Sequence, residues 1–280
     1  MKSGLILEGG AMRGMYTAGV MDVMLENGIH FYEIVGFSSG ALFGVNYASG
    51  QKRRVIRYNK RFNSDSRYMG IVPLIREGNI ISEFAFYQVP QKLDIFDDEK
   101  FKKSGIRFYA VLTNVDTGLP EYHLIESVYD QMETLKASGA IPLVAKPVVI
   151  RGQRYLDGGI GDSIPYEWMH RHGADKLVVV LTRDAAYRKQ PFNKAVIALT
   201  YGLHSPFGKK MSERYKEYND QVKKLTQWEK EGKAFVIRPT EPIIIEKLEK
   251  DPEKLQEVYE IGVRDAKAKM EELKLYLEQK

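Results

Sequence analysis

The 280-residue sequence contains no cysteine. That absence removes disulfides, thiolate metal sites and cysteine nucleophiles together. Histidine is scarce, with five residues in the chain, and no ligand cluster has a recognisable spacing, so neither a metal nor another cofactor is expected. No apolar run approaches the ~20 residues that span a bilayer. The segment Met1 to Leu7 passes into a glutamate and glycines too early to form a secretory signal, and a cytoplasmic protein is the expectation. A dominant charge sign is also lacking. With 42 basic and 37 acidic residues the net charge is +5, too slight for a dedicated nucleic-acid binder, and no aromatic-basic pattern suggests one. What is present is an ordinary globular mix, 44% hydrophobic and 28% charged, in a chain long enough to bury a full core.

The first sixty residues alternate legibly. Leu5 to Leu7 is a short apolar strand and Gly9 to Gly14 a glycine-rich turn. Met15 to Asn27 carries apolar residues at helical spacing, with Gly28 as its stop. Ile34 to Phe37 is a second strand, followed by Ser38-Ser39-Gly40 and a helix through about Ala48. This βαβα opening implies a parallel sheet. Further strands are expected at Phe108 to Leu112, Val148 to Ile150 with Tyr155-Leu156, Leu177 to Leu181 and Phe235 to Ile237. The segment from Phe62 to Phe86 is dense in large apolar residues without a clean period, which suits a lid or core. Beyond residue 200 the chain becomes highly charged. It shows an amphipathic helix with Met211, Tyr215, Tyr218, Val222 and Leu225, and a second one opened by Asp251-Pro252-Glu253 as cap and first turn. With no obvious linker, residues 1–200 are read as the main domain and 201–280 as a helical extension packed on it.

Three segments carry chemistry. Gly36-Phe37-Ser38-Ser39-Gly40 has the form GxSxG between strand and helix. A nucleophile elbow needs small residues on either side of its serine, and the helix that follows turns its positive end toward developing negative charge. Gly9-Gly10-Ala11-Met12-Arg13-Gly14 exposes backbone N–H groups at a helix start, as anion or oxyanion binding requires. It lacks the second glycine of a dinucleotide fingerprint and the Lys-Ser/Thr of a P-loop. Asp157-Gly158-Gly159 puts a carboxylate on a turn that can approach a nucleophile closely, although alone it is a common β-turn.

In this order the three segments resemble the motifs of the patatin-like phospholipases. Leu112 to Gly118, Ala137 to Pro142 and Gly173-Ala174-Asp175 are also similar, so the resemblance runs from about Leu5 to Arg183. Gly78-Asn79-Ile80 and the C-terminal helices resemble a bacterial subgroup. The resemblance implies a three-layer α/β fold with a mostly parallel central sheet, flanking helices and a helical C-terminal extension. It implies hydrolysis of lipid carboxylic esters, phospholipid or lysophospholipid foremost, by a Ser-Asp dyad. Ser38 would be the nucleophile and Asp157 the base, through an acyl-enzyme. Backbone N–H groups of Gly10 and Ala11, with help from Met12 or Arg13, would form the oxyanion hole. Gly36, Gly40, Gly158 and Gly159 would be the elbow and turn glycines, and Arg13 would brace its loop. Ala11 stands where the family usually has glycine, and would be comfortable only at negative φ.

Two rivals remain at this stage. One is an α/β-hydrolase triad, with Asp157 followed by His170, His172 or His204, although Ser38 on the second strand is early for that fold. The other is a lipid- or anion-binding protein without turnover. A basic run, Lys52, Arg53, Arg54, Arg57, Lys60 and Arg61, reads either as a solvated helix face or as a strip for peripheral contact with an anionic membrane surface.

Overall fold

The apolar runs become the strands of one sheet, and the segments of helical period cover both its faces. The computed structural model describes residues 1–279. Its elements in chain order are β1 (Ser3–Leu7), α1 (Gly14–Glu26), β2 (Glu33–Gly36), α2 (Ser39–Ala48), α3 (Arg54–Phe62), α4 (Ile71–Glu77), a π-helical segment (Phe84–Leu93) and α5 (Asp98–Lys103). There follow β3 (Arg107–Asn114), β4 (Pro120–Ile125), α6 (Met132–Ser138), β5 (Val148–Ile150), β6 (Gln153–Asp157), α7 (Tyr166–Arg171), β7 (Lys176–Val180), α8 (Lys194–Thr200), α9 (Pro206–Lys230), β8 (Ala234–Ile237) and α10 (Pro252–Glu278).

The sheet order is β5-β6-β3-β2-β1-β7-β8, with β4 paired to β3 off this path. β3, β2, β1, β7 and β8 run parallel, whereas β4 and β6 are antiparallel to β3. The chain thus returns to both sides of β1, and the crevice at the carboxyl ends of β1 and β2 lies at this switch of direction. Alternation along the strands divides the core in two. Leu5, Leu7, Ile34, Val178 and Val180 pack with α1, α2, α6 and α10, while Ile6, Val35, Val179 and Val111 pack with α7 and the inner face of α9. β4 has no counterpart in the sequence reading. It opens with proline and carries Glu121 and His123 on a half-exposed edge, so it lacks the apolar signature of the buried strands.

The start of α10 forms as its sequence dictates, with Asp251 accepting from the Glu253 N–H at 2.9 Å and Pro252 in the first turn. α10 then lies antiparallel across α1 in a reciprocal contact. A Cβ on Gly19 would sit 2.2 Å from the Tyr259 carbonyl oxygen, and one on Gly262 would sit 2.1 Å from that of Tyr16. On either side of this glycine crossing, Tyr259 donates to Asp22 at 2.8 Å and Tyr16 to Asp265 at 3.3 Å. Among the described residues no helix is long and apolar enough to cross a membrane.

Candidate active site

β2 ends at Gly36 and α2 begins at Ser39, which leaves Ser38 on the turn between them at φ 52°, ψ −131°. That conformation is costly for a residue with a Cβ, and it is held by the surroundings. The Ser38 N–H donates to the carbonyl oxygen of Ser138 at 3.0 Å and to its hydroxyl at 3.1 Å. The turn can tighten because a Cβ on Gly40 would lie 2.2 Å from the Leu7 carbonyl oxygen, a distance only glycine tolerates.

Strand register brings the aspartate to the serine. Gly36 pairs with Ala110 on β3, so two residues further on Ser38 is level with Leu112, whose partner on β6 is Asp157. The Asp157 carboxylate accepts from the Gly159 N–H at 2.8 Å, and its backbone oxygen accepts from the Thr113 hydroxyl at 2.8 Å. Ser38 and Asp157 are 8% and 7% exposed. Burial pushes the Asp157 carboxyl above the ordinary carboxylate range. Arg214, the Gly159 N–H, the Ser38 hydroxyl and Lys189 act in the opposite direction, Arg214 most strongly. Ser38 and Asp157 line the same cavity, and among the described residues the hydrogen bond made by the carboxylate is the one from Gly159.

The Gly9 to Gly14 loop leaves β1 and lies directly against the elbow, where a Cβ on Gly9 would stand 2.8 Å from that of Ser38. Met12 is buried in the short 3-10 turn Ala11–Arg13 that leads into α1. One expectation for this loop, the negative φ of Ala11, is corrected. Ala11 adopts φ 51° rather than a negative angle, so it keeps the left-handed geometry usual for glycine despite its methyl group. The Gly10 N–H is already engaged, donating to the Ser39 hydroxyl at 2.9 Å, whereas the Ala11 N–H has no acceptor among the described residues. Arg13 follows Met12 at the end of this turn. Its Nε is buried without a partner and its side chain lines a cavity.

Ser38 sits where two cavities meet. One, about 110 Å³, is apolar and walled by Leu42, Phe43, Met69, Phe86, Val89 and Leu135. The other, about 530 Å³, holds Asp157 together with Glu8, Arg13, Arg183, Lys189 and Arg214. Ala11, Ser38 and Ile141 border both. The Phe62 to Phe86 segment divides its roles. Tyr68, Met69, Ile81 and Phe86 face the apolar cavity, while Ile71 and Ile75 on α4 stay exposed. No histidine lines either cavity: His170 and His204 are exposed, and His172 packs at a tilt against Trp168 beside Glu33. Among the described residues no cluster of His, Asp or Glu has the makings of a metal site.

The basic run lies elsewhere. Lys52, Arg53, Arg57, Lys60 and Arg61 line a separate groove that shares no residue with the Asp157 cavity. Arg54 is not part of a solvated face at all. It is buried against Asp94 at 3.1 Å and Asn46 at 2.8 Å. The cations beside the serine are ones the sequence reading passed over: Arg183 just after β7, Lys189 on the following loop and Arg214 on α9. A signal existed for Arg214, which stands between Met211 and Tyr218 at spacings of three and four and so interrupts the buried stripe of its helix.

Comparison with known proteins finds two family profiles along the chain. One, described as patatin-like phospholipase, matches residues 5–168. The other, described as a domain of unknown function (DUF6363), matches residues 204–278. The uncharacterized protein YjjU of Escherichia coli (strain K12) is 27% identical over 271 residues, which cover 92% of this chain and 74% of that protein. Lysophospholipase nte1 of Aspergillus fumigatus is 29% identical over 181 residues, 63% of this chain but 12% of the fungal protein. Among solved structures, VipD from Legionella pneumophila superposes with a TM-score of 0.44 and 14% identity over 95% of this chain and 66% of that one.

Proposed function

Because the chain belongs to the patatin-like phospholipase family, we propose that it is a lipid acyl hydrolase that works through an acyl-enzyme on Ser38, with Asp157 as the base. The observation that carries this reading is Ser38 itself, strained at an elbow, facing a buried carboxylate, at the seam of an apolar and a polar cavity. The similarity to fungal lysophospholipases supports a lipid ester as substrate.

In this reading the acyl chain enters the apolar cavity and the alcohol portion lies in the polar one. Ser38 Oγ attacks the ester carbonyl as Asp157 takes its proton. The tetrahedral oxyanion accepts from the Ala11 N–H, at the start of the turn leading into α1. Collapse breaks the bond to the alcohol oxygen, to which Asp157 returns the proton. Water then attacks the acyl-enzyme with Asp157 again as base, releasing the carboxylic acid and restoring Ser38. An aspartate in water is a weak base. Burial raises its proton affinity and excludes competing solvent, while Arg214 keeps enough of it ionised to act.

A fluorophosphonate probe tests the assignment. Wild type is expected to be labelled once per chain and Ser38→Ala not at all, with ester hydrolysis lost in parallel. An unlabelled, inactive wild type would leave the site as a binding pocket only.

A further inference from the structure

The polar cavity is overloaded with positive charge. Arg13, Arg183, Lys189 and Arg214 all line it, and among the described residues none is ion-paired to a carboxylate. Two acids share the cavity and offset only part of this charge, Asp157 acting mainly on Arg214. Asp157 faces Ser38, and Glu8 is held by the Thr182 N–H at 2.6 Å and the Tyr218 hydroxyl at 2.8 Å. Gathering several half-buried cations in one cavity is expensive, and an anion bound among them would offset that cost.

The cations are also held in place. The Arg183 guanidinium lies 4.1 Å from the Tyr187 ring centroid, and Lys189 Nζ lies 4.6 Å from that of Tyr218. The Lys189 backbone is clamped to α9 by paired bonds with the Asn219 side chain, at 2.9 and 3.2 Å. Arg214 Nε donates to Ser163 at 3.2 Å, with its outer nitrogen packed over Gly159. Burial, and after it repulsion from Arg214, pushes Lys189 down to about 7.

We propose that Arg13, Arg183, Lys189 and Arg214 form a cradle for a phosphate-type anion on the alcohol side of the ester, so that α9 in the C-terminal segment helps select a phosphate-bearing substrate. This rests on the reading of Ser38 and Asp157 as the reacting pair. The apolar cavity on the other side of Ser38 takes the acyl chain, so the two ends of the substrate are recognised by opposite chemistries.

The test compares 1-oleoylglycerol 3-phosphate with 1-oleoylglycerol, each dispersed in the same neutral detergent micelles. Wild type should favour the phosphate ester by about tenfold or more in kcat/KM, chiefly through KM. Lys189→Met and Arg183→Met should each lose about tenfold more on the phosphate ester than on the neutral one, and Lys189→Arg should restore the preference. Equal turnover of both esters by wild type, or equal losses on both in the variants, would overturn the cradle while Ser38 still labels with fluorophosphonate. If wild type instead binds inorganic phosphate in calorimetry without preferring the phosphate ester, the cradle serves a free anion and the headgroup assignment falls. Should wild type neither label nor hydrolyse, the reading of the reacting pair fails. The cradle is then judged on calorimetry with sn-glycerol 3-phosphate: binding that Lys189→Met abolishes supports it, and no binding refutes it.

Discussion

Replacing Gly19 or Gly262 with alanine tests whether the C-terminal helix is locked onto the helix that follows the loop beside Ser38. The added methyl would lie 2.2 or 2.1 Å from a carbonyl oxygen of the opposite helix, where real contacts stay above 3.0 Å, so α1 and α10 must part by about 0.8 Å. Overpacking of this kind costs about 1–3 kcal/mol. The same movement stretches the Tyr259–Asp22 and Tyr16–Asp265 bonds, each worth about 1.5–3 kcal/mol when the acceptor is charged. The better helix propensity of alanine returns about 1 kcal/mol. A net loss near 3 kcal/mol is expected for either variant. Because the two glycines face each other across one gap, a second alanine enters space already opened by the first. The double variant should therefore lose about 4 kcal/mol rather than about 6. Urea unfolding with unchanged m reads all three losses. Single losses below about 1 kcal/mol, or a double variant that adds within about 0.5 kcal/mol, would refute the reciprocal crossing.

Asp157→Asn should lower kcat for ester hydrolysis by about 10⁴-fold or more with an unchanged circular-dichroism spectrum, and a loss under about tenfold would remove Asp157 as base. Since burial lifts the Asp157 carboxyl and the base must be ionised, activity should fall on the acid side at a pH above the ordinary carboxylate range. Arg214→Met should move that limb higher still, because Arg214 is the strongest influence holding the carboxyl down; a limb that stays put or moves down contradicts the assignment. Ser38→Gly should abolish turnover yet raise stability by about 1 kcal/mol through relief of the φ 52° conformation, measured by urea unfolding. Lys189 is charged in the unfolded chain up to its ordinary value of 10.5 but in the fold only below about 7, so its penalty is fully present below 7 and fades between 7 and 10.5. Lys189→Met should accordingly stabilise the protein more at pH 6 than at pH 10 in thermal unfolding.

What could be read from the sequence depended on how local the signal was. β1, β2 and β7 announce themselves because strands buried on both faces need continuous apolar runs. The elbow was legible because its steric demands fall on Gly36 and Gly40, within two residues of Ser38. β4 was missed because an edge strand can afford proline, glutamate and histidine. Arg54 was misread because its partner Asp94 lies forty residues away and nothing near it in the chain discloses a buried ion pair. The cationic cradle was invisible for the same reason, since Arg13, the pair Arg183 and Lys189, and Arg214 come from three separate segments and meet only in the folded molecule. Ala11 shows the opposite limit. Its identity argued against positive φ, and the surrounding loop imposed it nonetheless.

The antiparallel seat of α10 on α1 also has a meaning in time. The elbow and its glycine loop belong to the first 40 residues, whereas the helix that clamps α1 begins at Pro252. On a ribosome adding about 5–20 residues per second, the serine emerges roughly 10–50 s before the last turns of its distant partner. Throughout that interval α1 lacks one wall of its packing, and before α9 follows, the cavity beside Asp157 lacks Arg214. A nascent chain therefore carries Ser38 before the walls around it are complete.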